Sequence, residues 1–213
     1  MNPDTIVQGD DGGRSIVIDK NYVDNRVGAA LGDTVYAGNY AYRVQDTNTG
    51  GYASVLRQEV KNYTDSSIFF AWKAVLLGAH DDYDAATLII TLKDLTTGTE
   101  LITRQYNAAD NGTGVDARFS SLNNNFYTPK WQIEQLDIDS TLSGHDFLLS
   151  VLAADCEPTG HWGYAYIDGF GAVLPEPGAV PEPATWAMMI LGFGAAGAAV
   201  RNSRRRQAAL AAA

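Results

Sequence analysis

Up to residue 173, short apolar or alternating stretches recur between polar turns. "SIVID" (15–19) opens the series. In "TVYAGNYAYRV" (34–44), Tyr36, Tyr40, Tyr42 and Val44 share one parity, which predicts one face of an extended strand. "IFFAWKAVLL" (68–77) is apolar at almost every position, as a strand buried on both faces would be. A buried helix has the same pattern, but Phe69, Phe70, Trp72 and Val75 are strand formers and favour the first reading. "TLIITLKDL" (87–95) and "ELITRQY" (100–106) flank "TTGT", whose Gly98 suits a tight hairpin. "WQIEQLDI" (131–138), "DFLLSVLAA" (146–154) and "WGYAYIDGFGAV" (162–173) complete the set. At least eight strands with polar loops, no amphipathic helix before residue 184 and no internal repeat predict an all-β domain over 1–174. Its expected architecture is an antiparallel β-sandwich or jelly roll.

The pattern then changes. Residues 175–183 hold four prolines, which remove backbone donors and fix φ, so this stretch reads as an extended linker. Residues 184–200, "ATWAMMILGFGAAGAAV", carry no charge. As a helix they would be about 25 Å long at about 1.5 Å per residue, at the short end of a membrane span. Trp186 stands near one boundary and the arginines of 201–213 at the other, the arrangement expected of a single transmembrane helix with a cytoplasmic, Arg-rich tail.

Charge sharpens this division. The net charge is −10, but four of the 15 basic residues (Arg201, Arg204, Arg205, Arg206) lie beyond residue 183, leaving 11 against all 25 acidic residues and a balance of −14. A body so acidic repels phosphate backbones, which argues against nucleic acid as a partner. The single cysteine, Cys156, excludes an internal disulfide.

Pro181-Glu182-Pro183 followed by Ala184-Thr185-Trp186, a glycine-rich apolar segment and arginines resembles a PEP-CTERM sorting signal. The resemblance covers 180–206 and implies an exported protein of a Gram-negative, polysaccharide-producing bacterium. It also implies recognition and cutting by a membrane exosortase, with Pro181, Glu182, Pro183, Thr185 and Trp186 as the motif. Arg201, Arg204, Arg205 and Arg206 would stop transfer, because arginine crosses a bilayer only at high cost. The expected destination is the cell envelope or extracellular polysaccharide matrix. A second triplet, Pro175-Glu176-Pro177, reads as a linker echo, and Asn202-Ser203 interrupts the arginine run. "MNPDTIVQGDDGG" has neither a basic nor an apolar leader region, so export is expected to need a signal peptide encoded upstream of Met1.

A shorter stretch, "DCEPTGHWGYAYIDGFG" (155–171), is similar to the closing strands of galactose-binding-like jelly rolls. Tyr164, Tyr166, Asp168 and Phe170 would then share one face, with Ala165 and Ile167 on the other. The plainer expectation is that these tyrosines fill the core edge with their hydroxyls on backbone partners. The sharper one is a sugar platform drawn from Tyr36, Tyr40, Tyr42, Trp131 and Trp162. For metals, Asp81, Asp82 and Asp84 in "HDDYD" offer hard oxygens to a structural Ca2+, though a solvated acidic turn accounts for them more simply. His145 and His161 lack zinc-type spacing to Cys156, which argues against zinc. A Cys156–His161 dyad reads as a structural thiol and a loop histidine, and no serine-elbow, metalloprotease or phosphate-loop motif occurs. Three readings of the body follow: a non-enzymatic sorted protein, a carbohydrate-binding module, and a hydrolase with an unrecognised site.

Overall fold

The computed structural model describes residues 15–46, 53–81, 84–109, 114–156 and 160–171. The linker 175–183, the segment 184–200 and the tail 201–213 lie outside the described residues, as does Asp82. Within the described residues there are eleven strands: β1 Ile16–Asp19, β2 Tyr40–Asp46, β3 Ala53–Tyr63, β4 Ser67–Leu77, β5 Thr87–Asp94, β6 Glu100–Asn107, β7 Ser120–Leu122, β8 Asn125–Tyr127, β9 Gln132–Asp137, β10 His145–Ala154 and β11 Gly163–Gly171. One 3-10 turn, Gly28–Leu31, is the sole helical element among them.

All pairings are antiparallel. One sheet has seven strands in the order β1-β2-β11-β4-β8-β7, with β9 also on β4; the other has four, β3-β10-β5-β6. Strand β4 is long enough to pair along one edge with β9 at Ser67–Trp72 and with β8 at Val75–Leu77.

The two sheets face each other across one core. Its alternation is the period of two in the sequence: Ile68, Phe70, Trp72, Ala74 and Leu76 from β4 meet Leu88, Ile90 and Leu92 from β5 and Phe147, Leu149, Val151 and Ala153 from β10. The expected sandwich is therefore present. So is the hairpin around Gly98, whose φ of 78° puts it in the left-handed region that glycine tolerates best.

A second apolar cluster lies on the other face of the seven-stranded sheet. Ile18, Val27, Leu31, Val35 and Ala41 pack there with Val75, Tyr127, Tyr164 and Tyr166. The chain between β1 and β2 is thus a lid over that sheet, and it explains why β4 is apolar at nearly every position. Lys73 of β4, only 2% exposed, sits beneath this lid and donates to the Leu31 carbonyl at 2.5 Å. Burial holds its ammonium pKa down, to about 8, despite the nearby Asp33.

One expectation about strands needs correction. Tyr36 does not share a strand with Tyr40: the strand starts at Tyr40, after a turn in which Gly38 has φ 69°. Strands β3, β7 and β8 are additional to the eight read from the pattern.

Candidate functional site

The sorting residues Pro181, Glu182, Pro183, Thr185 and Trp186 and the arginines Arg201, Arg204, Arg205 and Arg206 lie outside the described residues. Among the described residues no helix is long and apolar enough to cross a membrane.

The tyrosines of β11 fill the core edge, as the plainer expectation had it. Tyr164 and Tyr166 are buried under the lid, and both hydroxyls donate to Oδ2 of Asp24, at 2.9 and 2.6 Å. Oδ1 of Asp24 accepts the N–H groups of Arg26 and Val27 at 2.8 and 2.7 Å. The phenols' partner is thus a buried carboxylate rather than the backbone. Burial first, then the Asp24 charge, push both phenol pKa values far above the usual value, so these hydroxyls stay protonated donors. On the same face Asp168 accepts the N–H groups of Tyr36 and Ala37 at 2.9 and 3.0 Å, tying the lid's far end to β11.

The remaining aromatics do not form one platform. Tyr36 is buried and meets Trp131 edge-on at 5.7 Å, while the Trp131 indole donates to the Asp33 carbonyl. Trp162 is covered by the Arg26 guanidinium at 3.6 Å. Tyr42 packs against the inter-sheet core, leaving Tyr40, 65% exposed, as the open ring of the five.

Chemistry-bearing side chains converge instead at one end of the sandwich. The β4–β5 and β10–β11 connections both cross from one sheet to the other. The first carries His80 and Asp84, the second Cys156 and His161. Cys156 Sγ lies 3.1 Å from Nδ1 of His161 and 3.4 Å from Nδ1 of His80. The two imidazole rings are 4.6 Å apart, and Nδ1 of His80 is 3.6 Å from Oδ2 of Asp84. Each connection is closed by its own backbone bond: His80 N–H to the Asp84 carbonyl at 2.8 Å, and Cys156 N–H to the His161 carbonyl at 3.2 Å.

The spacing argument against zinc weighed His145 and His161 against Cys156 and left out His80. His145 is elsewhere, with Nδ1 2.9 Å from Oδ2 of Asp94, whereas His80, 76 residues before Cys156, completes the cluster. A usable signal was the scarcity of these residues: with three histidines and one cysteine in the chain, every pairing could have been weighed. Of the acidic trio, Asp81 turns inward on its own loop to accept the Asp84 N–H at 2.8 Å, Asp84 faces His80, and Asp82 is outside the described residues.

The Cys156–His161 contact is the one that would favour a thiol nucleophile, but its polarity is opposed to that role. Burial, with Asp84 and Asp155 nearby, pushes the thiol pKa up, and burial with His80 pushes that of His161 down. Both groups are thereby held neutral, whereas a nucleophile needs a thiolate beside an imidazolium.

At the level of architecture the described residues form an all-β arrangement of two packed antiparallel sheets. Residues 179–206 match the PEP-CTERM protein-sorting motif, and the chain carries that motif. A comparison with curated proteins gives no match. Among solved structures, the chain is similar to the module TmCBM61 in complex with β-1,4-galactotriose, at 11% identity over 72% of this chain and 81% of that one, TM-score 0.37. It is similar also to CBM27-1 of Caldicellulosiruptor saccharolyticus with mannohexaose, at 15% identity over 66% and 76%, TM-score 0.36. A third is CBM28, a module specific for non-crystalline cellulose, at 13% identity over 67% and 78%, TM-score 0.35. The sugars named belong to those proteins.

Proposed function

We propose that this protein is a non-enzymatic exosortase substrate: an acidic sandwich exported across the membrane, held there by residues 184–200, and released to the envelope or extracellular polysaccharide matrix after cutting at the Pro-Glu-Pro motif. The supporting observation is the sorting-motif match over 179–206, which coincides with the change from acidic domain to proline linker, uncharged segment and arginines. Physical chemistry supports the same order of parts. The prolines keep the motif extended and open to an enzyme, the apolar segment supplies the anchor, and the arginines hold the C-terminus on the cytoplasmic side. The sandwich is the cargo, of jelly-roll type, and its neutral Cys156–His161 pair does not favour a hydrolase. A carbohydrate-binding role has less support, because the described aromatics are dispersed rather than gathered on one open face.

Intact-mass analysis of fractionated native-host cells tests this reading. Cells with the exosortase should release a chain shortened near Pro181–Pro183, and cells lacking it should retain the full-length protein in the membrane. Full-length protein outside the membrane in both strains would overturn the proposal.

A further inference from the structure

The cluster at the crossing end of the sandwich is not used by sorting, and it has the composition of a metal centre. One donor atom from each of His80, Cys156 and His161 lies within 4.8 Å of the other two. Two imidazoles and a thiol are the ligands of a borderline-soft ion, and a carboxylate completes sets of this kind. A tetrahedral zinc, with Zn–S about 2.3 Å and Zn–N or Zn–O about 2.0–2.2 Å, fixes ligand–ligand edges of roughly 3.3–3.6 Å. The observed edges from Cys156 Sγ are 3.1 Å to His161 and 3.4 Å to His80, and that from His80 to Asp84 is 3.6 Å. The three donors thus lie close to the spacing that a shared ion requires, and Asp84 stands beside His80 as a neighbouring carboxylate.

The surroundings fix these side chains in place. The two backbone closures, 80 to 84 and 156 to 161, set the shape of each connection. At Gly78, φ is 59° and an added Cβ would meet the His161 ring at 2.6 Å, so the imidazole lies directly on backbone that no larger residue could supply. Cys156 is 1% exposed at the inner end of the cluster, and the His80 side chain, 44% exposed, stands at its rim.

We infer that His80, Cys156 and His161, with Asp84 as the carboxylate partner of His80, bind one zinc-class divalent cation that clips the β4–β5 connection to the β10–β11 connection. The sulfur–metal bond forms as the thiol proton leaves to solvent, with no change of oxidation state. The clip does for this chain what a disulfide does for other exported domains: it ties together two sheet-crossing segments far apart in sequence, in a protein whose single cysteine cannot form an internal disulfide. The competing account is a thiol hydrogen-bonded between two imidazoles, which binds no ion. The two differ in ways that can be measured.

The full-length chain, purified in detergent, stripped with a chelator and dialysed, is titrated with Zn2+ by calorimetry and, separately, with Co2+ by absorption. One zinc per chain is expected, together with a higher thermal midpoint. The Co2+ form should show a thiolate charge-transfer band and tetrahedral ligand-field bands. His80→Ala and Cys156→Ser should each weaken zinc binding at least about 100-fold, and Asp84→Asn by about tenfold or more, in keeping with the sensitivity of metal sites to lost partners. His145→Ala, altered at the contact with Asp94 outside this cluster, should bind as the parent does. The exposed position of the His80 side chain makes His80→Ala the deciding variant if Cys156→Ser does not fold. Absence of stoichiometric zinc, equal affinity in His80→Ala and the parent, or a Co2+ spectrum without a sulfur band would each overturn the inference.

Discussion

Asp24 shows how much one residue can organise. Its carboxylate is 2% exposed and accepts four hydrogen bonds, two from the start of its own turn and two from β11 tyrosines more than 130 residues away. A buried carboxylate is tolerated when its lone pairs are filled, and hydrogen bonds to a charged acceptor are stronger than neutral ones. Tyr166→Phe removes one of them without leaving a cavity. It is expected to lower the unfolding free energy by about 1.5–3 kcal/mol, the usual range for a bond to a charged group, with an unchanged urea m-value. A loss under about 0.5 kcal/mol in urea titrations would mean that the hydroxyl contributes little. In the sequence the Tyr-x-Tyr parity of β11 was legible, and Asp24 was not. Nothing near "YAYID" tells which distant carboxylate will cover it.

Among the elements, the β5–β6 hairpin and β10 are joined through Asp94. Its carboxylate accepts the N–H groups of Thr96 and Thr97 and the Thr97 hydroxyl, and faces Nδ1 of His145 from β10. Burial alone would raise the Asp94 pKa, but the hydrogen bonds from Thr97, His145 and the turn's backbone outweigh it and bring the value down to about 2. An unfolded Asp titrates near 3.9, so this depressed group stabilises the fold above about pH 4, and the stabilisation is lost as pH falls from about 4 to about 2. Asp94→Asn should flatten that part of the stability profile in urea midpoints measured at pH 5 and pH 2.5; a profile as steep as the parent's would refute the assignment. The turn was legible because glycine at a positive φ leaves a local mark. Strand β3 was not, for two reasons. Its inward residues Leu56, Val60 and Tyr63 skip the polar Gln58, and a register shift opposite His145–Phe147, with Asn62 at φ 47°, changes the parity before Tyr63. The resulting spacing of four and three resembles a helix period more than a strand's.

On the scale of the whole molecule, the domain and its sorting tail carry opposite charges, and the proposed topology depends on that contrast. An arginine at the centre of a membrane segment costs about 2.5–3.5 kcal/mol, so four of them are a firm stop. With Arg201→Ser, Arg204→Ser, Arg205→Ser and Arg206→Ser combined, a C-terminal epitope should become accessible to protease added outside spheroplasts. Protection equal to the parent's would remove the arginines from the topology argument. The sorting motif was readable because such a signal is contiguous: its triplet, apolar run and basic end fall within 28 matched residues and need no folded partner. The sandwich was readable for a related reason, since alternation along a strand records which side faces the other sheet. What only the tertiary structure decided is what lies across each face and at each end. The lid over Tyr164 and Tyr166 comes from the chain between β1 and β2, and His80 meets Cys156 because two sheet-crossing connections end side by side. Contacts of that kind depend on strand order, which a linear pattern of apolar and polar residues does not encode.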